Sequence, residues 1–106
     1  MPEPLPIGPE VQFVVRRSLL IHDHVAAAQE VRERAARVRV EMIAREVRVL
    51  AMDGFSPRLA EVAAKNNLAV RFAELNAEVH AELGRLQDEF HRRVGRLLED
   101  PEDASA

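Results

Sequence analysis

The four histidines are the first residues to ask about chemistry, because neutral imidazole is the commonest metal ligand and a proton carrier near neutral pH. His22 and His24 flank Asp23 in the triplet "HDH", which has the look of a metal-ligand set. One ion needs its ligands on one side of the element that carries them. At 3.6 residues per turn, helix positions i and i+2 point about 200° apart, so His22 and His24 cannot grip the same ion. His80 and His91 share a helix face but are separated by about 16 Å along the axis. Asp88 and His91 stand at i, i+3, the nearest approach to the carboxylate-histidine pairs of di-iron bundles. That chemistry also needs inward-facing glutamates, and the glutamates here fall mostly on the charged side. The spacing therefore predicts no metal and no cofactor, with the histidines in helix seams or on the surface.

Other routes to catalysis are closed by composition. The chain has no Cys, which excludes a thiolate nucleophile, a disulfide framework and a zinc-cysteine site. Serine occurs only at Ser18, Ser56 and Ser105, and threonine is missing. No glycine-rich phosphate loop and no Gly-x-Ser-x-Gly elbow is present. The expectation is a protein that is not an enzyme. The lack of Cys fits a reducing compartment, so the expected location is cytoplasmic. No apolar run approaches the roughly 18 residues of a membrane span, and "MPEPLPIGPE" has prolines and acids where a signal peptide needs basic and then apolar residues.

The elements that must carry these side chains are helices. A chain of 106 residues sets one domain as the prior. Pro and Gly are nearly confined to the arm at 1–9 and to Gly54, Pro57, Gly84 and Gly95, apart from Pro101 in the acidic tail at 100–106. Between them lie Ala, Leu, Val, Arg and Glu in helical period. A first helix is predicted over 10–52, about 63 Å long at 1.5 Å per residue. A compact domain of this size has a radius of gyration of only about 13 Å, so such a helix cannot be wrapped by its own chain. Asp53-Gly54 is a stop, with Gly54 suited to a left-handed cap. Ser56 is an N-cap and Pro57 a first helical residue. Residues 53–56 are thus a corner. At about 100° per residue, Leu59, Val62, Ala63 and Val70 lie opposite the line Leu68, Phe72, Leu75, Val79, Leu83, Leu86, Phe90 and Leu97. The apolar stripe changes face at Lys65–Leu68, where Asn66-Asn67 tolerates a helix-ending conformation. This predicts a short helix over 57–65, a kink or one-turn break, and a long helix over 68–99.

The faces of these helices bear on function. Val14, Ile21, Ala28, Ala35, Met42 and Val49 recur every seven residues, a heptad-like stripe. Ala36, Val40, Ile43, Val47 and Leu50 form a second stripe. In the last helix, Ala73, Asn76, Ala77, His80, Gly84, Gln87 and His91 run beside the leucine-phenylalanine line, and the charges take the other side. One neighbouring helix cannot cover two stripes. The interface residues predicted from this surplus are Ala36, Val40, Ile43, Val47, Leu50, Asn76, His80, Gln87 and His91, with Gly54, Ser56 and Pro57 as the structural corner. Charge is also informative. The net charge is −3, and residues 11–52 carry eight Arg against five acids while 57–99 carry seven of each sign. No concentrated basic face of the kind nucleic acid demands is present.

Two family resemblances give other expectations. "LAMDGFSPRLAEVAAKNNLAVRF" resembles the first helices of TetR-like DNA readers, which implies a helix-turn-helix regulator. Asn67 stands where that turn has Gly, and Glu74 and Glu78 follow Arg71 on the would-be recognition helix. Length, two helices and a Gly corner are similar to the exported WXG-type hairpins of secretion systems. Here the corner reads Met52-Asp53-Gly54 without Trp, and the C-terminal Tyr-x-x-x-Asp/Glu signal is missing. The bottom-up reading is an all-α, elongated helical hairpin that assembles into a helical bundle. It implies a structural or adaptor role, with a second copy (a dimer) or another helical protein as partner, and neither nucleic acid nor a membrane span.

Overall fold

The computed structural model describes residues 8–99. The acidic tail expected over 100–106 lies outside this range, as does the arm expected over 1–9 apart from its last two residues. The described chain folds as an all-α helical hairpin: α1 (Pro9–Met52), α2 (Pro57–Asn67) and α3 (Ala69–Glu99), with no strand among the described residues. Pro9 occupies the first turn of α1, where its missing N–H costs nothing. The amide of Gln12 donates to the carbonyl of Gly8 at 3.0 Å.

The end of α1 is a Schellman turn built around one glycine. The Gly54 amide donates to the Ala51 carbonyl and the Phe55 amide to the Leu50 carbonyl, both at 3.1 Å. These bonds satisfy carbonyls that a helix end otherwise leaves open. They require the residue between them to turn left-handed, and Gly54 has φ of 94°. Ser56 then caps α2. Its backbone is extended, its Oγ accepts from the Leu59 amide at 3.4 Å, and Pro57 follows in the first turn. Gly54→Val is expected to destabilise the protein by roughly 1–2 kcal/mol or more, the cost of left-handed backbone with a β-branched side chain. A Cβ at residue 54 would meet nothing within 4 Å, so the loss is conformational and not steric. Denaturant unfolding checks it: Asn, which tolerates this conformation, should recover part of the loss.

The junction of α2 and α3 lies two residues beyond the predicted end of the short helix. α2 continues to Asn67, and only Leu68 leaves the helix, with φ −93° and ψ 0°. The Leu68 amide still donates to the Ala64 carbonyl at 3.0 Å, and the Phe72 amide to the Leu68 carbonyl at 2.8 Å. Neither Asn66 nor Asn67 is left-handed, since no non-glycine among the described residues has positive φ. A single residue in the bridge region interrupts the helix and keeps its bonding, so no asparagine cap is needed. Asn67 has a different use: its Nδ2 donates to Glu46 Oε1 at 3.4 Å, tying α2 to α1.

The chain divides into two compact units, one of residues 29–83 and one that joins the N-terminal stretch to 28 with the stretch from 84 on. In the first, the end of α1 packs on α2: Leu50, Ala60 and Ala64 are buried together, with Val47 and Ala63 against them. Ala60 and Ala64, one turn apart, have no exposed surface, and their small side chains let the helices approach closely. Arg34 and Glu82 pair at 3.8 Å across α1 and α3, an exposed contact worth about 0–1 kcal/mol. In the second unit, Ala28 and Leu97 are buried, and the His24 and Phe90 rings stack at 4.8 Å with 27° between planes.

The seven-residue stripe of α1 does not stay on one face. Ala28 and Ala35 are buried and Met42 is half-buried, but Val14, Ile21 and Val49 are exposed. A strict heptad drifts about 20° per repeat on a straight 3.6-residue helix. From Ala28 back to Val14 that amounts to about 40°, which turns Val14 away from the side on which Ala28 is buried.

Candidate interaction surface

α3 shows how the two sides of one helix divide. Its leucine-phenylalanine line, Leu75, Val79, Leu83, Leu86, Phe90 and Leu97, is half-buried or buried. Its neighbouring line is exposed throughout: Ala73, Asn76, Ala77 and His80 in the central unit, and Gly84, Gln87 and His91 in the other. The sequence pattern places Asn76, His80, Gln87 and His91 at least partly buried between helices. Within a single chain they are not, because α1 covers only the leucine side. Their polar atoms are hydrated unless a second molecule covers them.

The stripe predicted on α1 divides in the same way. Ala36 is exposed and Val40 is 67% exposed, while Ile43 and Val47 are half-buried and Leu50 is buried. Leu50 is thus covered within its own chain. The returning α2 covers it, which a reading of α1 alone could not foresee. α2 in turn presents the side opposite its alanines: Leu59 is 61% and Val62 56% exposed, and Val70 at the start of α3 is 71% exposed. The pattern assigned these to an apolar stripe without saying what covers them. The signal for the inversion was the pair Ala60 and Ala64, small residues one turn apart that suit a close helix contact better than Leu or Val.

Among the described residues no group of three His, Asp or Glu side chains comes together as a metal site would require. His22, His80 and His91 are exposed. His24 is held flat against Phe90, and His91 lies 5.9 Å from the same ring. Comparison with protein-family models, with curated proteins and with solved structures finds no match. The geometry of the surface therefore carries the functional argument. In the central unit an open groove of about 270 Å³ follows the seam of α1 and α3, floored by Val31, Val38, Met42, Leu75 and Val79 and edged by Arg34, Arg71, Glu78 and Glu82. Of the rim charges, Arg34 pairs with Glu82 at 3.8 Å, and Arg71 pairs with Glu74, one turn along its own helix, at 2.8 Å.

Proposed function

We propose that this chain is a non-enzymatic structural or adaptor protein that works by helix-to-helix association, with itself or with another helical protein. The observation that supports this most is the solvent-facing side of α2 and the start of α3, where Leu59, Val62 and Val70 are each more than half exposed. Water-facing apolar side chains in a group mark association surfaces, and burying each contributes roughly 1.5–3 kcal/mol. A helix-turn-helix reading fits the fold less well. The would-be recognition segment is the first part of a 31-residue helix whose Phe72 and Leu75 are half-buried and whose Arg71 is paired to Glu74.

Light scattering at tens of micromolar is expected to give at least twice the chain mass of 11.9 kDa. A salt-sensitive shift of a DNA duplex, or stoichiometric metal in the purified protein, would sink the proposal.

A further inference from the structure

We propose that one open edge of the α1–α3 seam, centred on Arg39, receives a helix of another protein that carries carboxylates two turns apart. The inference rests on the association reading above and deepens it by naming the surface and the chemistry of the partner.

In the unit of residues 29–83, α1 and α3 meet along Val31, Ala35 and Met42 on one helix and Leu75 and Val79 on the other, all buried or half-buried. This seam has two edges. The Arg34–Glu82 pair at 3.8 Å spans one of them, on the side of the groove described above. Arg34 lies about 100° around α1 from Ala35, and Glu82 about 60° around α3 from Val79. In the opposite sense, Arg39 and Ile43 lie about 40° and 80° from Ala35, and Asn76 and His80 about 60° and 100° from Val79. These four therefore share the second edge. Next to the corner α2 covers that edge, where Val47 packs against Leu50, Ala60 and Ala64. Toward the middle of α1 the cover stops: Val40 is 67% exposed, and Ala36, Asn76 and His80 are exposed. A helix already covers one end of the edge, and a second helix laid beyond it would cover the rest.

Charge selects the occupant. The open stretch of α1 carries Arg32 and Arg39, seven residues apart, and the facing residues Phe72, Asn76 and His80 of α3 add no acid. The nearest carboxylates are engaged within the chain: Gln29 donates to Glu33 at 3.1 Å and Asn67 to Glu46 at 3.4 Å. Arg39 is half-buried, and its Nε is buried without an acceptor among the described residues. A guanidinium stays charged and offers only donors, so a buried N–H left unbonded costs free energy. A carboxylate takes such a fork through two parallel hydrogen bonds, and the long arginine side chain turns on its own torsions to meet it. A second copy of this chain laid on the same edge brings two more arginines and no acid, and like charges set against each other disfavour that pairing. Arg32 and Arg39 are about 10.5 Å apart along the axis. The helix that fits both therefore carries its acids at the same seven-residue spacing, with small or apolar residues between them to meet Ala36, Val40 and Ile43.

The probes are two three-heptad helical peptides with the same Ala-Leu seam, one with Glu at two positions seven apart and the other with Gln there. By fluorescence anisotropy on the full chain, the Glu peptide should bind about ten-fold tighter or more, the scale of one charge-assisted contact. Added salt should shrink the difference. Arg39→Gln should remove most of the preference, and Arg32→Gln, at an exposed position, should weaken it. Arg37→Gln, exposed on the far side of α1, should keep it. The melting temperature of Arg39→Gln should match or exceed that of wild type, because no bond within the chain is lost. A clear drop, or failure to fold, would show that Arg39 serves its own fold and overturns the proposal. Failure of both peptides to bind, equal affinity for the two, or a Glu preference that survives Arg39→Gln and Arg32→Gln, overturns this edge as the site. Light scattering of the wild-type chain tests self-association separately, so the wider reading stands or falls on its own measurement.

Discussion

Leu50→Ala is expected to lower the unfolding free energy by about 2–5 kcal/mol, the range for removing a buried leucine and leaving a cavity. Leu50 is the one large side chain of the buried cluster it forms with Ala60 and Ala64. The two alanines belong to a short capped helix and cannot extend to refill the space. A loss of this size is a large fraction of the 5–15 kcal/mol that holds a typical domain folded. The control is Met52→Ala, at the end of α1, which is 87% exposed and should change stability by no more than about 0.5 kcal/mol. Denaturant unfolding of both variants at two protein concentrations separates the two roles open to Leu50. A core residue loses the same free energy at either concentration. A residue buried only by another chain would show a loss that grows as the protein is concentrated, because association adds its stabilisation by mass action. The second pattern would return Leu50 to the interface and put the packing of α2 in doubt.

The fold class was legible in the sequence because its signals are local. Gly54, Ser56 and Pro57 each act on their own backbone, and the helical period needs no knowledge of what lies across the way. The less legible features are those decided by a neighbour. Leu50 and Val40 belong to one stripe on α1, and only the return of α2 separates a buried residue from an exposed one. Leu59 and Ala60 are adjacent in sequence, and hydrophobicity alone ranks them in the wrong order for burial. The close approach of α2 to α1 favours the smaller side chain. Asn66-Asn67 is a sound local signal for a helix end, yet Leu68 is the residue that leaves the helix and Asn67 donates to Glu46. For Leu50 and Ala60 a contact from a distant part of the chain overrode a correct local preference. The candidate surface shares this limit. Periodicity locates an uncharged line on α3, and exposure shows that its own chain leaves it open, but neither gives the molecule that covers it.

Replacing Asn76 and Gln87 together by Leu is expected to raise thermal stability or leave it unchanged, and to broaden the distribution of oligomers. Both residues are exposed on the side of α3 that carries no charge. In an isolated chain the added leucines would therefore gain little. If a second molecule covers this line, each leucine would contribute up to roughly 1.5–3 kcal/mol on burial. Two of them would then outweigh most other single changes to the surface. The reason to keep Asn and Gln is specificity. A polar group buried without its hydrogen-bond partner costs free energy, so each penalises every register in which that partner is absent, as one core Asn does in a coiled coil. Leucine accepts many registers and many partners, and the assembly should lose its single size. Size-exclusion with light scattering reads the distribution, and a thermal melt reads the stability. One sharp oligomer, the same as wild type, would reject the specificity role and mark the line as ordinary hydrated surface. A sharp drop in melting temperature would mean that Asn76 or Gln87 makes hydrogen bonds the assembly depends on, which shifts their role from selecting a partner to holding it.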